Sequence, residues 1–401
     1  MSTITDDRSR NKKRPWTLLS TAFLAVFFHA GTAAAVDCKD LPSPIYGIGG
    51  SATKPLLAKI GTALSAASPP ETVVYQAPGA CVGVNALLGN THLQGTATFW
   101  DATGKEDTCT LPVDGELPGF ANTGNSALTC PGVSALPATI GDFVGPVNAF
   151  SLIVPNASSQ VSISSEAAYF VFGFGQLGKA QPWADDTQIY RRDPLSAAQI
   201  FISLATGVPT EKFKGIDTKS NGGTVTAVAQ SPKPEAAIGL VSAEVADANR
   251  ATVRTLAYQH KGQRCGYWPD SSATAFDKKN VRDGTYHIWS PIHFYAHVDA
   301  SKKATNPGVA RFVGYFTGEV AAPAGVDVLA IESKSGAIPR CAMSVWRDAD
   351  LGDVRRYQPE KPCGCFFESV AAGKTSCQAC TNDTSCPSSA PKCNYGFCEA
   401  R

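Results

Sequence analysis

One turn in the sequence carries cationic and hydroxyl side chains in a spacing suited to holding an anion. Within residues 188–208, a short β-like run ends in Arg191 and Arg192, and Ser196 then opens an apolar, helix-periodic stretch. A helix N-terminus offers unpaired N–H groups and a positive dipole end, while serine adds a hydroxyl and arginine a fork of donors. The pattern predicts an anion-holding turn. The alternative is an ordinary strand–helix junction with a capping serine.

Two glycine-rich turns earlier in the chain likewise precede predicted helix starts. The first, residues 47–51, ends in Ser51 and precedes a helix-periodic segment. The second, residues 78–83, follows a run of β-branched residues at 72–76 and leads into another helix start. Two successive strand–turn–helix units predict an α/β fold with a parallel or mixed sheet.

Apolar patterning predicts the elements on either side of the arginine turn. The predicted strands are residues 149–154 and 237–241, and residues 287–297 are interpreted as a strand pair or a crossing segment. The predicted helices are residues 165–172 and a stretch from 222 to 228. Residues 103–137 are rich in turn formers and are interpreted as an insertion.

Composition narrows the classes of function. The 401 residues carry 35 Lys+Arg and 34 Asp+Glu, a formal net charge of +1, so no overall field favours nucleic acid as a partner. Neither a Gly-x-Ser-x-Gly elbow nor a His-Glu-x-x-His motif is found, and we expect a binding protein without a cofactor rather than an enzyme. The histidines at 287, 293 and 297 lie in a strand-like run, so we expect no metal site there.

The first 35 residues have the pattern of a signal peptide. Basic residues from Arg8 to Arg14 precede an apolar run at 16–28, and small residues at 33–35 offer a cleavage site. A single membrane anchor is the alternative, but the run is shorter than the ~20 residues that a span requires. The pattern predicts a periplasmic, secreted or cell-surface protein with no membrane span after cleavage.

Thirteen cysteines behind such a signal predict disulfides. Seven of them crowd residues 363–398, where a small disulfide knot is favoured over a zinc site. Cys109 and Cys130 flank a Gly/Pro/Asn-rich stretch and are predicted to form a pair. The odd total leaves one thiol free or paired outside the chain.

Several motifs, taken in their order, resemble a known family. They are residues 47–51, residues 75–83, Phe99-Trp100-Asp101, residues 172–186, residues 191–201 and residues 237–241. Over about residues 46–318 the chain resembles the phosphate-binding periplasmic proteins of the type II substrate-binding class, which serve ATP-driven importers.

The resemblance implies an α/β, two-lobed type II periplasmic-binding-protein fold, with a small disulfide-rich C-terminal tail added here. The implied division is a signal peptide at 1–35, lobe one at 36–146 and 287–350 with the insertion at about 103–137, lobe two at 147–286, and the cysteine-rich tail at 351–401. The chain would cross between lobes near residues 145–150 and 286–293, with the ligand in the cleft.

The resemblance also implies four ligand-binding residues. Ser51 would supply a hydroxyl, Asp101 would accept a proton from a protonated phosphate, Arg192 would neutralise charge and Ser196 would contribute at a helix start. The implied partners are a small anion such as phosphate and the permease of an ABC-type importer.

Three positions depart from the family's pattern. Ala80 replaces a serine, Pro194 an aspartate that would hold the arginine, and Ala198 a threonine. One extra residue in the turn would instead pair Arg191 with Asp193. The leading hypothesis is an exported solute-binding protein that holds a small oxyanion in its cleft. The alternative hypothesis is a structural or adhesive surface protein on the same scaffold with a degenerate site.

Overall fold

The computed structural model describes residues 36–400, so the predicted signal peptide lies outside the described residues. Over that span, no helix is both long enough and apolar enough to cross a membrane.

The first part of the described chain builds one side of a large sheet. Its elements are β1 (Val36–Asp37), β2 (Pro44–Gly49), α1 (Lys54–Ser65), β3 (Thr72–Gln76), α2 (Ala80–Leu88), β4 (Thr96–Trp100), β5 (Glu106–Thr110) and β6 (Phe120–Thr123).

A long strand then leads into the second group of elements. They are β7 (Ile140–Pro155), β8 (Ser162–Ser164), α3 (Ser165–Phe174), β9 (Ile189–Arg191), α4 (Ala197–Thr206), β10 (Ile216–Asp217), α5 (Asn221–Ala229), β11 (Ile238–Ser242), α6 (Ala243–Ala248), β12 (Val253–Thr255), β13 (Ala257–Gln259) and α7 (Lys279–Arg282).

The remaining elements return along the sheet and end in the cysteine-rich tail. They are β14 (Trp289–His297), α8 (Pro307–Thr317), α9 (Val328–Ser335), β15 (Val345–Trp346), β16 (Arg355–Arg356), α10 (Gly364–Ala371), β17 (Lys392–Asn394) and β18 (Phe397–Glu399).

A mixed twelve-stranded sheet organises the molecule, in the order β1-β5-β4-β3-β2-β6-β14-β7-β11-β9-β10, with β12 paired to β7. β2 runs parallel to both β3 and β6, and β9 runs parallel to β10 and β11. Helices start after the carboxyl ends of β2, β3 and β9, which is the arrangement that the two glycine turns and the arginine turn predicted. The predicted α/β class is confirmed.

Two strands join the halves of the sheet. β7 is 16 residues long. Its residues from Ile140 to Ala149 pair with β14, and those from Phe150 to Ile153 pair with β11. Because one unbroken strand belongs to both groups of strands, bending at β7 and β14 is what would move one half against the other.

A third passage of the chain lies beside these strands. After α9, the backbone of Ile338 pairs with that of Val147 in an isolated antiparallel bridge. Ile338, Met343 and Trp346 are then buried in the same core cluster as Phe201 of α4. The prediction that all of 287–350 belongs to lobe one is therefore wrong for the residues after α9, which pack into the core of the other half.

The interpretation of 103–137 as an insertion is also wrong in part. β4 and β5 form an antiparallel hairpin, but β6 pairs with both β2 and β14 at the centre of the sheet. Its residues Phe120 and Ala121 are fully buried. Only four residues long and set among turn formers, β6 has no periodicity that sequence patterning detects.

Six disulfides hold the described chain. They are Cys38–Cys109, Cys81–Cys130, Cys341–Cys363, Cys365–Cys377, Cys380–Cys393 and Cys386–Cys398. The predicted Cys109–Cys130 pair is wrong, because each of these cysteines bonds to a residue earlier in the chain. The unpaired thiol is the exposed Cys265.

The tail is joined to the body and has three disulfides of its own. Cys341–Cys363 ties its start to the second half of the sheet. Arg282 of α7 donates to Glu368 of α10 at 2.7 Å, and Phe367 is fully buried in the main core. The tail is therefore disulfide-rich, as predicted, and it packs on the body, which was not predicted.

The histidines at 287 and 293 have different neighbours. The ring of His287 stacks on that of His260 at 4.5 Å, and His293 on β14 contacts Asp142 through Nδ1 at 2.8 Å.

Candidate functional site

The ends of β2 and β3 hold the two glycine-rich turns against each other. The backbone N–H of Gly79 donates to the carbonyl of Gly49 at 3.1 Å. Gly83, in the first half of α2, lies so close to β2 that an added Cβ would be 2.7 Å from the Gly49 Cα. Only glycine at these positions lets α2 begin directly behind the first turn.

Buried side chains hold the first glycine-rich turn, residues 47–51, in place. Thr53 and Tyr75 both donate to the Gly50 carbonyl, at 3.0 and 2.8 Å. The side-chain oxygen of Asn122 on β6 lies 3.0 Å from Thr53 Oγ1 and 2.7 Å from Tyr75 Oη, so each hydroxyl shares its single proton between the two oxygens. This network is buried, so the backbone around Ser51 is rigidly placed.

A small cavity lies where these turns face the start of α4. It is lined by Gly50, Ser51, Ala52, Gly79, Ala80, Arg192, Ser196, Ala197 and Ala198. The structure therefore brings three of the four sequence-predicted ligand residues, Ser51, Arg192 and Ser196, to one place. Their binding role stays a prediction.

Arg192 reaches across the cavity from the end of β9. Its Nη1 donates to the side-chain oxygen of Asn221 at 2.7 Å, and its Nη2 donates to the carbonyl of Lys219 at 3.2 Å and to Ser51 Oγ at 3.4 Å. Its Nε is buried without a partner. The guanidinium is thus held in place by neutral oxygens.

The charge of Arg192 has no counter-ion in the described chain. The residue is only 4% exposed, yet it forms no salt bridge with any carboxylate in residues 36–400. Burial lowers the pKa of Arg192 from its ordinary value, against the opposing influence of Asp193 and Asp217. A buried cation without a paired anion is costly, and an anionic ligand in the cavity would remove that cost.

The neighbouring Arg191 has a different environment. Its Nη1 donates to the backbone carbonyl of Arg192 at 2.9 Å and lies 3.8 Å from the carboxylate of Asp217. Asp193 instead accepts from the backbone N–H of Leu195 at 2.9 Å. Of the two arginines between which sequence spacing left the choice open, Arg192 lines the cavity and Arg191 does not.

The serine hydroxyls differ in how far they are already engaged. Ser196 Oγ donates to the carbonyl of Asp193 at 2.9 Å and accepts from the backbone N–H of Gln199 at 3.3 Å, so it caps α4. Ser51 Oγ accepts from Arg192 and keeps its own proton for a further acceptor. The capping role of Ser196 is therefore real, and Ser51 is the freer donor.

Asp101 does not join this group. It follows β4, which runs antiparallel to β3, so it lies at the edge of the sheet opposite the glycine turns. Its Oδ1 accepts from the backbone N–H groups of Thr103 and Lys105 in the β4–β5 hairpin. The resemblance had implied a cleft position for Asp101, and the structure corrects that placement.

The two walls of the cavity touch each other directly. The backbone N–H of Cys81, in the first turn of α2, donates to the carbonyl of Leu195 at 3.1 Å. The cavity that remains is about 10 Å³, close to the space that one water molecule needs. A tetrahedral oxyanion is larger, so its entry requires the walls to separate.

Asn221 is the functional candidate that the sequence analysis missed. It is the first residue of α5, and its side-chain nitrogen donates to Ser242 Oγ at 3.2 Å while its oxygen accepts from Arg192. It is 4% exposed. A helix-start asparagine is common in any sequence, so only the contact with Arg192 distinguishes this one.

No family model matches the sequence, and no curated protein matches it.

Solved structures do match the fold. A putative phosphate ABC transporter substrate-binding protein with bound phosphate from Clostridium perfringens covers 74% of this chain and 99% of its own, at 11% identity and a TM-score of 0.50. An ABC-type phosphate transport receptor from Vibrio cholerae (13% identity, 74% and 100% coverage, TM-score 0.48) and a phosphate-binding protein from Stenotrophomonas maltophilia (13%, 74% and 90%, 0.44) are also similar.

The chain thus has the type II substrate-binding-protein fold found in phosphate-binding periplasmic proteins, with a disulfide-rich C-terminal region. At 11% identity the likeness to the Clostridium perfringens structure is one of fold. The case for a ligand therefore depends on the residues of this chain.

Proposed function

We propose that this protein is an exported solute-binding protein that holds a small oxyanion between the glycine turns and the start of α4. The observation that carries the proposal is the buried Arg192, which forms no salt bridge with a carboxylate of residues 36–400 and lines the cavity with Ser51. Phosphate is the first candidate because the fold is that of phosphate-binding proteins. The protein would bind without catalysing a reaction.

Binding in this account couples to bending at β7 and β14. Opening breaks the Cys81–Leu195 contact and frees Ser51 from Arg192. The ligand then replaces those contacts when the walls close on it. An outward location, after cleavage of the predicted signal peptide, would place the loaded protein where an importer permease could receive the anion.

Calorimetric titration with phosphate and with sulfate tests the proposal. We expect wild-type protein to bind one of them in the micromolar range or tighter. Arg192→Gln should abolish binding, because among the described residues it removes the single cation that lines the cavity. Arg191→Gln is the matched control: it removes the same charge one residue away, outside the cavity, and should bind within threefold of wild type.

Failure of both anions to bind would contradict the proposal. One observation favours a second candidate in that case: the walls meet directly and Ala80 and Ala198 present methyl groups to the cavity. Such a scaffold suits a structural or adhesive surface protein with a degenerate site. Fractionation with extracellular matrix would then be expected.

A further inference from the structure

The lobe-one wall of the cavity depends on a helix start with no side-chain cap. Gly79 is the N-cap residue of α2 and supplies no side chain, and Ala80 follows it at the cavity surface. Uncapped first turns leave N–H groups without partners and fray. Here the Cys81 N–H has one partner, the carbonyl of Leu195, which belongs to the opposite wall. That contact is lost whenever the walls part.

A disulfide attaches this same turn to the body. Cys81 is fully buried and is bonded to Cys130, which is 3% exposed. Cys130 lies at the end of a short segment that follows β6. Two hydrogen bonds hold this segment to other parts of the body. The N–H of Ala127 in that segment donates to Tyr295 Oη at 2.8 Å, and that of Ser126 donates to Asp350 at 2.7 Å.

The segment that ends at Cys130 is hydrogen-bonded to β14, a central strand of the sheet. Tyr295 belongs to β14, which pairs with β6 and with the first part of β7, the strand that runs through both halves. The covalent path therefore runs from the cavity-lining turn of α2, through Cys81 and Cys130, to a segment bound to β14. We propose that the Cys81–Cys130 disulfide is a positioning element of the anion site, holding the start of α2 in its binding geometry while the cleft is open. This role rests on the proposed function.

Cys38–Cys109 provides a matched comparison. It joins the chain after β1 to β5 at the outer edge of the sheet, and neither residue lines the cavity. The two disulfides span 71 and 49 residues. Loop-closure entropy varies only slowly with length, so their loss should destabilise the fold by similar amounts.

The test compares Cys81→Ala/Cys130→Ala with Cys38→Ala/Cys109→Ala by titration with phosphate and sulfate. We expect at least tenfold weaker binding in the first variant and less than threefold in the second, with similar losses of thermal stability. Equal weakening in both variants, or none in the first, would overturn the positioning role. Anion binding by the wild type with unchanged binding by the first variant would leave the proposed function standing, whereas a silent wild type overturns both.

If the Cys81→Ala/Cys130→Ala variant does not fold, a second variant and a second measurement still test the proposal. Cys81→Val/Cys130→Ala restores part of the lost volume and should show the same weakening. In anion-free wild-type protein, we also expect slow hydrogen exchange at the amide of Gly83, which donates to the Gly79 carbonyl at 3.0 Å within α2, because the covalent anchor persists without ligand. Rapid exchange there would refute the inference without any variant.

Discussion

At the scale of single residues, the site is defined by an arginine held by an amide. Asn221 orients the guanidinium of Arg192 through one hydrogen bond of 2.7 Å and is itself oriented by Ser242. A carboxylate in the same place would hold the arginine equally well but would neutralise it. Because the amide does not, Arg192 keeps its charge beside the cavity, and Asp193 and Asp217 act on it only from beyond salt-bridge distance.

Asn221→Asp tests this point with almost no change of shape. The new carboxylate would pair with Arg192, so we expect anion affinity to fall at least tenfold, which corresponds to about 1.4 kcal/mol, while the fold is kept. Calorimetric titration measures the affinity. The same substitution at the exposed Asn85 of α2 is the control and should leave affinity within threefold of wild type. Unchanged binding in Asn221→Asp would show that the charge of Arg192 is not what the ligand uses.

At the scale of elements, segments with clear periodicity were predictable, whereas the four-residue β6 and the direction of β4 were not. β3, α3 and the β9–α4 junction follow from β-branched runs, helical spacing and a capping serine. Asp101 was misplaced because sequence does not reveal whether β4 runs with or against β3. Arg192 was predictable as a candidate, whereas the neutrality of its partners required the fold.

The helix α9 carries a buried acid that should make stability depend on pH. Burial raises the pKa of Glu332, which is 6% exposed, from an ordinary value of 4.5 to about 8. Between these values the folded chain keeps a proton that the unfolded chain releases. Stability therefore falls as pH rises from about 5 to about 8, by up to ~1.4 kcal/mol per pH unit.

Because glutamine cannot ionise, Glu332→Gln should reduce the loss of stability between pH 5 and pH 8. Urea unfolding at pH 5 and pH 8 measures the difference, and we expect the variant to gain stability over wild type at pH 8 more than at pH 5. Glu319→Gln changes an exposed acid shortly before α9 and should retain the wild-type slope. An identical slope in Glu332→Gln and wild type would contradict the assignment.

At the scale of the whole molecule, the two halves are joined by more than the sequence analysis predicted. β7 and β14 cross between them, the Val147–Ile338 bridge adds a third passage, and the tail packs into the same core through Phe367. The tail was predictable as a disulfide-rich unit from its cysteine density. Its integration was not, because Cys341 lies outside the cluster of tail cysteines.

The most direct test of the account is to locate the anion. Crystals grown with selenate, a tetrahedral oxyanion with a strong anomalous signal, would show its position in the protein. We predict one peak between the halves of the sheet, with selenate oxygens within hydrogen-bond distance of Arg192 and Ser51, and the Cys81–Leu195 contact rearranged. A peak elsewhere, or density at Arg192 unchanged at saturating anion, would contradict the claim that this buried arginine is the binding group.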